Sequence, residues 1–162
     1  KKMKIIKTTI FLAILLSFGL SVNAQEISKN AIGLRLGDSD GLGAEISYQR
    51  ALGENNRLEL DLGWRNSNNV DAIKLTGLYQ WVWNLDGNFN WYAGAGGGIV
   101  SWSHDKVDAD GTALFIAGDL GIEYNFDIPL LLSLDVRPEL GLDNKYSDDL
   151  DLDIALSIRY QF

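Results

Sequence analysis

The chain of 162 residues has no cysteine, which excludes a disulfide scaffold, a thiolate nucleophile and any zinc site built on sulfur. Its single histidine, His104, leaves no histidine-rich metal centre, and no cofactor motif stands elsewhere. Basic residues are scarce: 14 Lys plus Arg against 22 Asp plus Glu give a formal charge of -8, the reverse of the cationic footprint that nucleic acid requires. Nucleic acid is therefore not an expected partner. Proline is nearly missing as well, with two residues, whereas glycine (17), tryptophan (5) and tyrosine (6) are plentiful. With 46% hydrophobic and 22% charged residues, this composition suits one folded β-domain and neither a disordered tail nor a helical bundle.

Long apolar runs are absent except at the start. Lys1, Lys2, Lys4 and Lys7 precede the apolar stretch Ile10 to Leu20, which gives way to Ser21-Val22-Asn23-Ala24 and then Gln25. A positive segment, a short apolar core and small residues at the junction read as a secretory signal peptide over 1–24, cleaved between Ala24 and Gln25. The core falls short of the ~20 apolar residues that cross a bilayer, so an uncleaved anchor is the weaker alternative. Cleavage removes four lysines and no acid, taking the net charge from -8 to -12. Residues 25–162 are then one domain.

From Asn30 onward the hydrophobic period is two, which predicts strands with one apolar and one polar face. Ile32, Leu34 and Leu36 alternate with Gly33, Arg35 and Gly37; Ala44, Ile46 and Tyr48 alternate with Glu45, Ser47 and Gln49. The third stretch sets Leu58, Leu60, Leu62 and Trp64 against Glu59, Asp61, Gly63 and Arg65. The fourth sets Ile73, Leu75, Tyr79, Trp81 and Trp83 against Lys74, Thr76 and Gln80, with Leu78 and Val82 blurring it. The glycine-rich fifth stretch, Phe89 to Ser103, is the hardest to phase: it sets Phe89, Trp91, Ala93, Ala95 and Ile99 against Tyr92, Gly94, Gly96 and Gly98, with a register slip at Gly94 to Gly98 as the alternative. The sixth sets Leu114, Ile116, Leu120, Ile122 and Tyr124 against Asp119, Gly121 and Glu123; the seventh sets Leu130, Leu132, Leu134, Val136 and Leu140 against Ser133, Asp135, Arg137 and Glu139. The eighth is the cleanest: Leu150, Leu152, Ile154, Leu156, Ile158, Tyr160 and Phe162 against Asp151, Asp153, Ala155, Ser157, Arg159 and Gln161.

Turn residues separate these stretches at Asp38–Gly41, Gly53–Asn56, Asn66–Asp71, Asn84–Asn88, His104–Gly111, Asn125–Pro129 and Asp143–Asp149. Short connections make neighbours antiparallel, so the expected fold is all-β: an eight-stranded up-and-down antiparallel barrel with short loops and no open edge. Its apolar face has two possible directions. Turned inward, it makes a soluble, secreted lipocalin-like barrel around a ligand; turned outward, it makes a transmembrane barrel. Three features favour outward. No charge falls on the apolar face, the other face mixes small residues with charges, and the aromatics are banded. Tyr48, Tyr79, Trp81, Trp83, Phe89, Trp91, Tyr124, Phe126, Tyr160 and Phe162 share one rim, with Trp64 and Trp102 toward the other as a second, thinner girdle.

The ending Arg159-Tyr160-Gln161-Phe162, the glycine-rich Trp91–Gly98 stretch, Gly121–Tyr124 and Leu134–Glu139 resemble the OmpA/OmpX-like outer-membrane β-barrel family, in particular its small porin-like members of Bacteroidota. The resemblance covers residues 25 to 162. It implies a monomer in the bacterial outer membrane, surrounded by its lipids and lipopolysaccharide and assembled by the BAM machinery through the C-terminal strand.

The lumen face is expected to hold nine acids (Glu45, Glu59, Asp61, Asp119, Glu123, Asp135, Glu139, Asp151, Asp153) and five bases (Arg35, Arg65, Lys74, Arg137, Arg159). Charges away from water need partners, so a salt-bridge network filling the lumen is the first reading; the excess of acid motivates a narrow cation path as the second. Asp108-Ala109-Asp110-Gly111 carries part of a calcium-loop pattern, but Lys106 breaks the ligand spacing and no metal site is expected. Ser101, Ser103 and His104 raise lipid A modification as an enzymatic alternative, yet adjacent strand residues point to opposite faces, and the expectation is no catalysis. Loops this short also disfavour a large adhesive surface.

Overall fold

The computed structural model describes residues 27–37, 43–67, 70–104, 110–142 and 150–162. The expected signal peptide with its Ala24/Gln25 junction, residues 105–109, which include Lys106, Asp108 and Ala109 of the partial calcium pattern, and the side chain of Arg65 lie outside the described part. Eight strands follow in order: β1 (Asn30–Gly37), β2 (Gly43–Ala51), β3 (Asn56–Ser67), β4 (Val70–Asp86), β5 (Phe89–His104), β6 (Gly111–Asn125), β7 (Leu130–Gly141) and β8 (Asp151–Gln161). Each pairs antiparallel with the next, and β1 closes on β8 with Leu34 opposite Ile158 and Leu36 opposite Leu156. Closure satisfies the backbone groups that an edge strand would leave unpaired.

Register converts the sequence alternation into two surfaces, because residues that face each other across a ladder share one face of the sheet. Leu36, Leu156 and Leu134 form one continuous outer row and Gly33, Arg159 and Leu131 one inner row. Burial is inverted relative to a water-soluble protein. Leu34, Leu134 and Leu156 are 46%, 48% and 49% exposed, whereas Arg35, Arg137 and Arg159 are 0%, 0% and 1% exposed. An aliphatic band around a whole barrel far exceeds the few hundred Å² of apolar patch that water-soluble monomers tolerate.

The strands are longer than the alternation alone indicates. Asn56, Asn66, Asp71, Asn84, Asp86, His104 and Gly111, read as turn residues, all lie inside strands. These residues sit at ends of the barrel, where a ladder continues without burying polar side chains in an apolar layer; Asn56, for example, pairs with Trp81 and donates through Nδ2 to Tyr79 Oη at 2.6 Å. The β4–β5 reversal shrinks to Gly87-Asn88, with Gly87 at φ 52°, a conformation that glycine adopts without a Cβ penalty. No slip occurs at Gly94 to Gly98: the β4–β5 and β5–β6 registers run through unbroken, and the one irregularity of β4–β5 lies between Asn84 and Asp86. Leu78 and Val82 point into the lumen, which resolves the blurred face of β4. Trp102 also has inward parity, lying between Ala72 and Gly111 with its indole where a Gly111 Cβ would be, so it does not belong to an outer girdle.

Candidate functional site

The lumen is crossed by ion pairs centred on three arginines. Arg35 of β1 donates through Nη1 to Glu45 of β2 at 2.9 Å and to Asp153 of β8 at 2.6 Å, and through Nη2 to Asp135 of β7 at 2.6 Å. Arg137 of β7 reaches Glu45, Glu59 and Asp61 at 3.3, 3.2 and 2.6 Å. Arg159 of β8 donates to Ser47 at 2.9 Å, Ser133 at 2.8 Å and Glu59 at 3.1 Å. A guanidinium is suited to this work because it presents five donors in a rigid fork and cannot be deprotonated.

Two further cations tie in β4 and β6. Lys74 of β4 donates to Glu139 of β7 at 2.7 Å. Arg57 of β3 pairs with Glu123 of β6 at 2.8 Å, lies 4.8 Å from the Tyr92 ring centroid and donates through Nε to Gln80 Oε1 at 2.6 Å. The amide of Gln80 in turn donates to Glu59 and Asp119, joining the arginine web to β6. Asp151 stands opposite Glu139 at the loop end of the lumen and is half-buried.

All thirteen charged residues expected in the lumen, Arg65 apart, thus have inward positions, and the register fixes which of them meet. Arg57 was missing from the expected set. It lies between the Gly53–Asn56 turn and Leu58, the first apolar residue of β3, so alternation phased from Leu58 left it unassigned, although its parity with Glu59 and Asp61 was readable. Among the described side chains, nine carboxylates face five cations.

The opposite wall is different. β5 carries no Asp, Glu, Lys or Arg, and its inward positions include Asn90, Tyr92, Gly94, Gly96, Gly98, Val100 and Trp102. Leu78, Phe115 and Ala117 form a buried apolar cluster in front of it. Two inward glycines make room for rings: a Cβ on Gly121 would strike the Tyr92 ring, and one on Gly98 would strike Phe115. At the turn-side mouth, Gln49, Arg57, Asn90 and Glu123 line a small polar recess.

Aromatics crowd the turn-side rim on the outer face. Trp83 and Trp91 stack at 4.4 Å, Tyr79 meets Trp81 edge-on at 4.9 Å, and Tyr124 contacts both Phe89 and Phe126 at 4.7 Å. Tyr160 and Phe162 stack at 6.3 Å, and Tyr48 donates its hydroxyl to Asn30 at 2.8 Å. Trp64 is the outward aromatic toward the loop end, 53% exposed. Of the candidate catalytic residues, Asp105 lies outside the described part. Ser103 and His104 have opposite parity, Ser101 Oγ lies 3.2 Å from Thr112 Oγ1, and Asp110 accepts from the backbone N–H of His104 rather than from its ring.

No protein-family model and no curated protein matches the chain. Solved structures do. The N-terminal β-barrel domain of Pseudomonas aeruginosa OprF superimposes with a TM-score of 0.69 at 14% identity, covering 83% of this chain and 98% of that one. The fold is that of the OmpA/OmpX-like eight-stranded outer-membrane barrels. Neisserial surface protein A gives 0.60 at 13% identity over 82% of this chain and 94% of that one. Ail of Yersinia pestis, an attachment invasion locus protein, gives 0.53 at 15% over 83% and 97%. At such identities the likeness is one of fold. In OmpA/OmpX-like barrels eight strands leave an interior just wide enough for side chains to fill, which agrees with the crossed ion pairs found in this lumen.

Proposed function

We propose that this chain is a non-enzymatic outer-membrane barrel with a structural or small-pore, porin-like role, exported by its signal peptide in a Gram-negative bacterium and acting as a monomer. The observation that carries this reading is the inverted burial: an uncharged aliphatic band outside and a charged, cross-linked lumen inside. Lipid hydrocarbon is the solvent that such an exterior fits, and a closed barrel is one of two structures able to cross it with every backbone group paired. Its partners on this reading are membrane lipids and lipopolysaccharide around the band and the BAM machinery at β8. The aromatic rim sets the depth, since Trp and Tyr favour the headgroup level. A soluble lipocalin-like barrel needs the apolar face turned inward, and here that face is outside.

The testing experiment reconstitutes the chain in planar bilayers and records current and reversal potential under a salt gradient. Insertion with a silent or small cation-preferring conductance supports the reading. A chain that stays in the aqueous phase, or a wide non-selective pore, contradicts it.

A further inference from the structure

We propose that the lumen is sealed by its apolar cluster, Leu78, Phe115 and Ala117, and not by its ion pairs, and that opening this seal admits small cations. The inference rests on the membrane-barrel reading above. The arginine web is anchored in β1, β2, β3, β7 and β8, and β5 contributes no acid or base to it. Lys74–Glu139 passes in front of β5 toward the loop end and Arg57–Glu123, with Asn90, toward the turn end; the section between them, at the level of Leu78 on β4, is filled by apolar side chains. There Leu78, Phe115 and Ala117 are 0%, 2% and 6% exposed. The Phe115 ring occupies the space left by Gly98, so that a Cβ at that glycine would lie 2.5 Å from ring Cζ.

The surroundings of the ring say what would pass. Lys74 lays its ammonium 4.9 Å from the ring centroid while holding Glu139, so the ring is clamped from the loop side between a cation and a glycine floor. Asp119 also lies in this sector, opposite Gly94 of β5, and takes the Gln80 amide as its partner. An apolar neck stops ions by dewetting, because an ion cannot shed its hydration where no polar group replaces it; a wall richer in carboxylates than in cations favours cations once water enters.

Phe115→Ser and Leu78→Ser are compared with the unaltered protein in planar bilayers, under a KCl gradient. Folding is checked for each by heat-dependent migration on a gel. Either folded variant is expected to raise the unit conductance several-fold and to move the reversal potential toward that of K⁺. Two folded, inserted variants that conduct like the unaltered protein overturn the seal while leaving the membrane reading intact, and an opened pore preferring chloride overturns the cation assignment. Failure of the unaltered protein itself to insert overturns the membrane reading and the seal with it.

Discussion

Arg137 on β7 and Asp61 on β3 meet across the full width of the barrel, Nη2 to Oδ2 at 2.6 Å, with both side chains wholly buried. In a ring of eight consecutive strands these two are diametrically opposite, so one ion pair fixes the separation of the two walls. Removing one partner leaves the other charge buried without compensation. Arg137→Ala should therefore lower stability by ~3 to 5 kcal/mol, read as a shifted midpoint of urea unfolding in detergent or lipid. A midpoint unchanged within error would show that this pair does not hold the lumen together.

Lipid contact gives a second expectation. Leu156 lies between Leu36 and Leu134 in the outer row, and Leu156→Arg should cost ~2 to 4 kcal/mol if that row sits near the bilayer midplane. Folding yield into lipid vesicles checks it. A yield like that of the unaltered chain would argue for water on that face.

Ring packing against glycine gives a third. Gly121→Ala places a methyl group into the Tyr92 ring, and overpacking of this kind costs ~1 to 3 kcal/mol. In the Gly121→Ala background, Tyr92→Ala should cost less than it does alone, a non-additivity measurable by a double-mutant cycle. Simple additivity would mean that ring and glycine do not oppose one another.

The aromatic rim gives a fourth. The Trp83–Trp91 stack is part of the turn-side girdle, and a stacked pair adds ~0.5 to 1.5 kcal/mol beyond its area. Trp83→Ala and Trp91→Ala should each destabilise the inserted barrel and should couple. A cycle with zero coupling energy would remove the stack from the account.

What the sequence disclosed was parity, and what it hid was partnership. β8 alternates without a break from Asp151 to Gln161, so its lumen and lipid faces could be read directly. That Arg35 serves Glu45, Asp135 and Asp153 together could not, because it depends on how far each strand is shifted around the barrel. Arg57 was lost to a boundary error, and Trp102 was placed by its nearness to a rim instead of by its odd or even position. The glycine run of β5 follows the phase read from its flanks, with Tyr92, Gly94, Gly96 and Gly98 inward, but what those glycines are for stayed hidden for a physical reason: small residues satisfy either face, and only the Phe115 ring of β6, seated where a Gly98 Cβ would lie, shows what space is being left.

The central claim, lipid outside and a closed charged lumen inside, is tested most directly by alternation along β8. The chain has no cysteine, so single cysteines at Ile154, Ala155, Leu156 and Ser157 can each carry a nitroxide label in a reconstituted bilayer. The account predicts that labels at Ile154 and Leu156 are reached by dissolved oxygen and shielded from a water-soluble nickel complex, while labels at Ala155 and Ser157 are reached poorly by oxygen. The same accessibility at all four positions, or the nickel complex reaching Ile154 and Leu156, would contradict it.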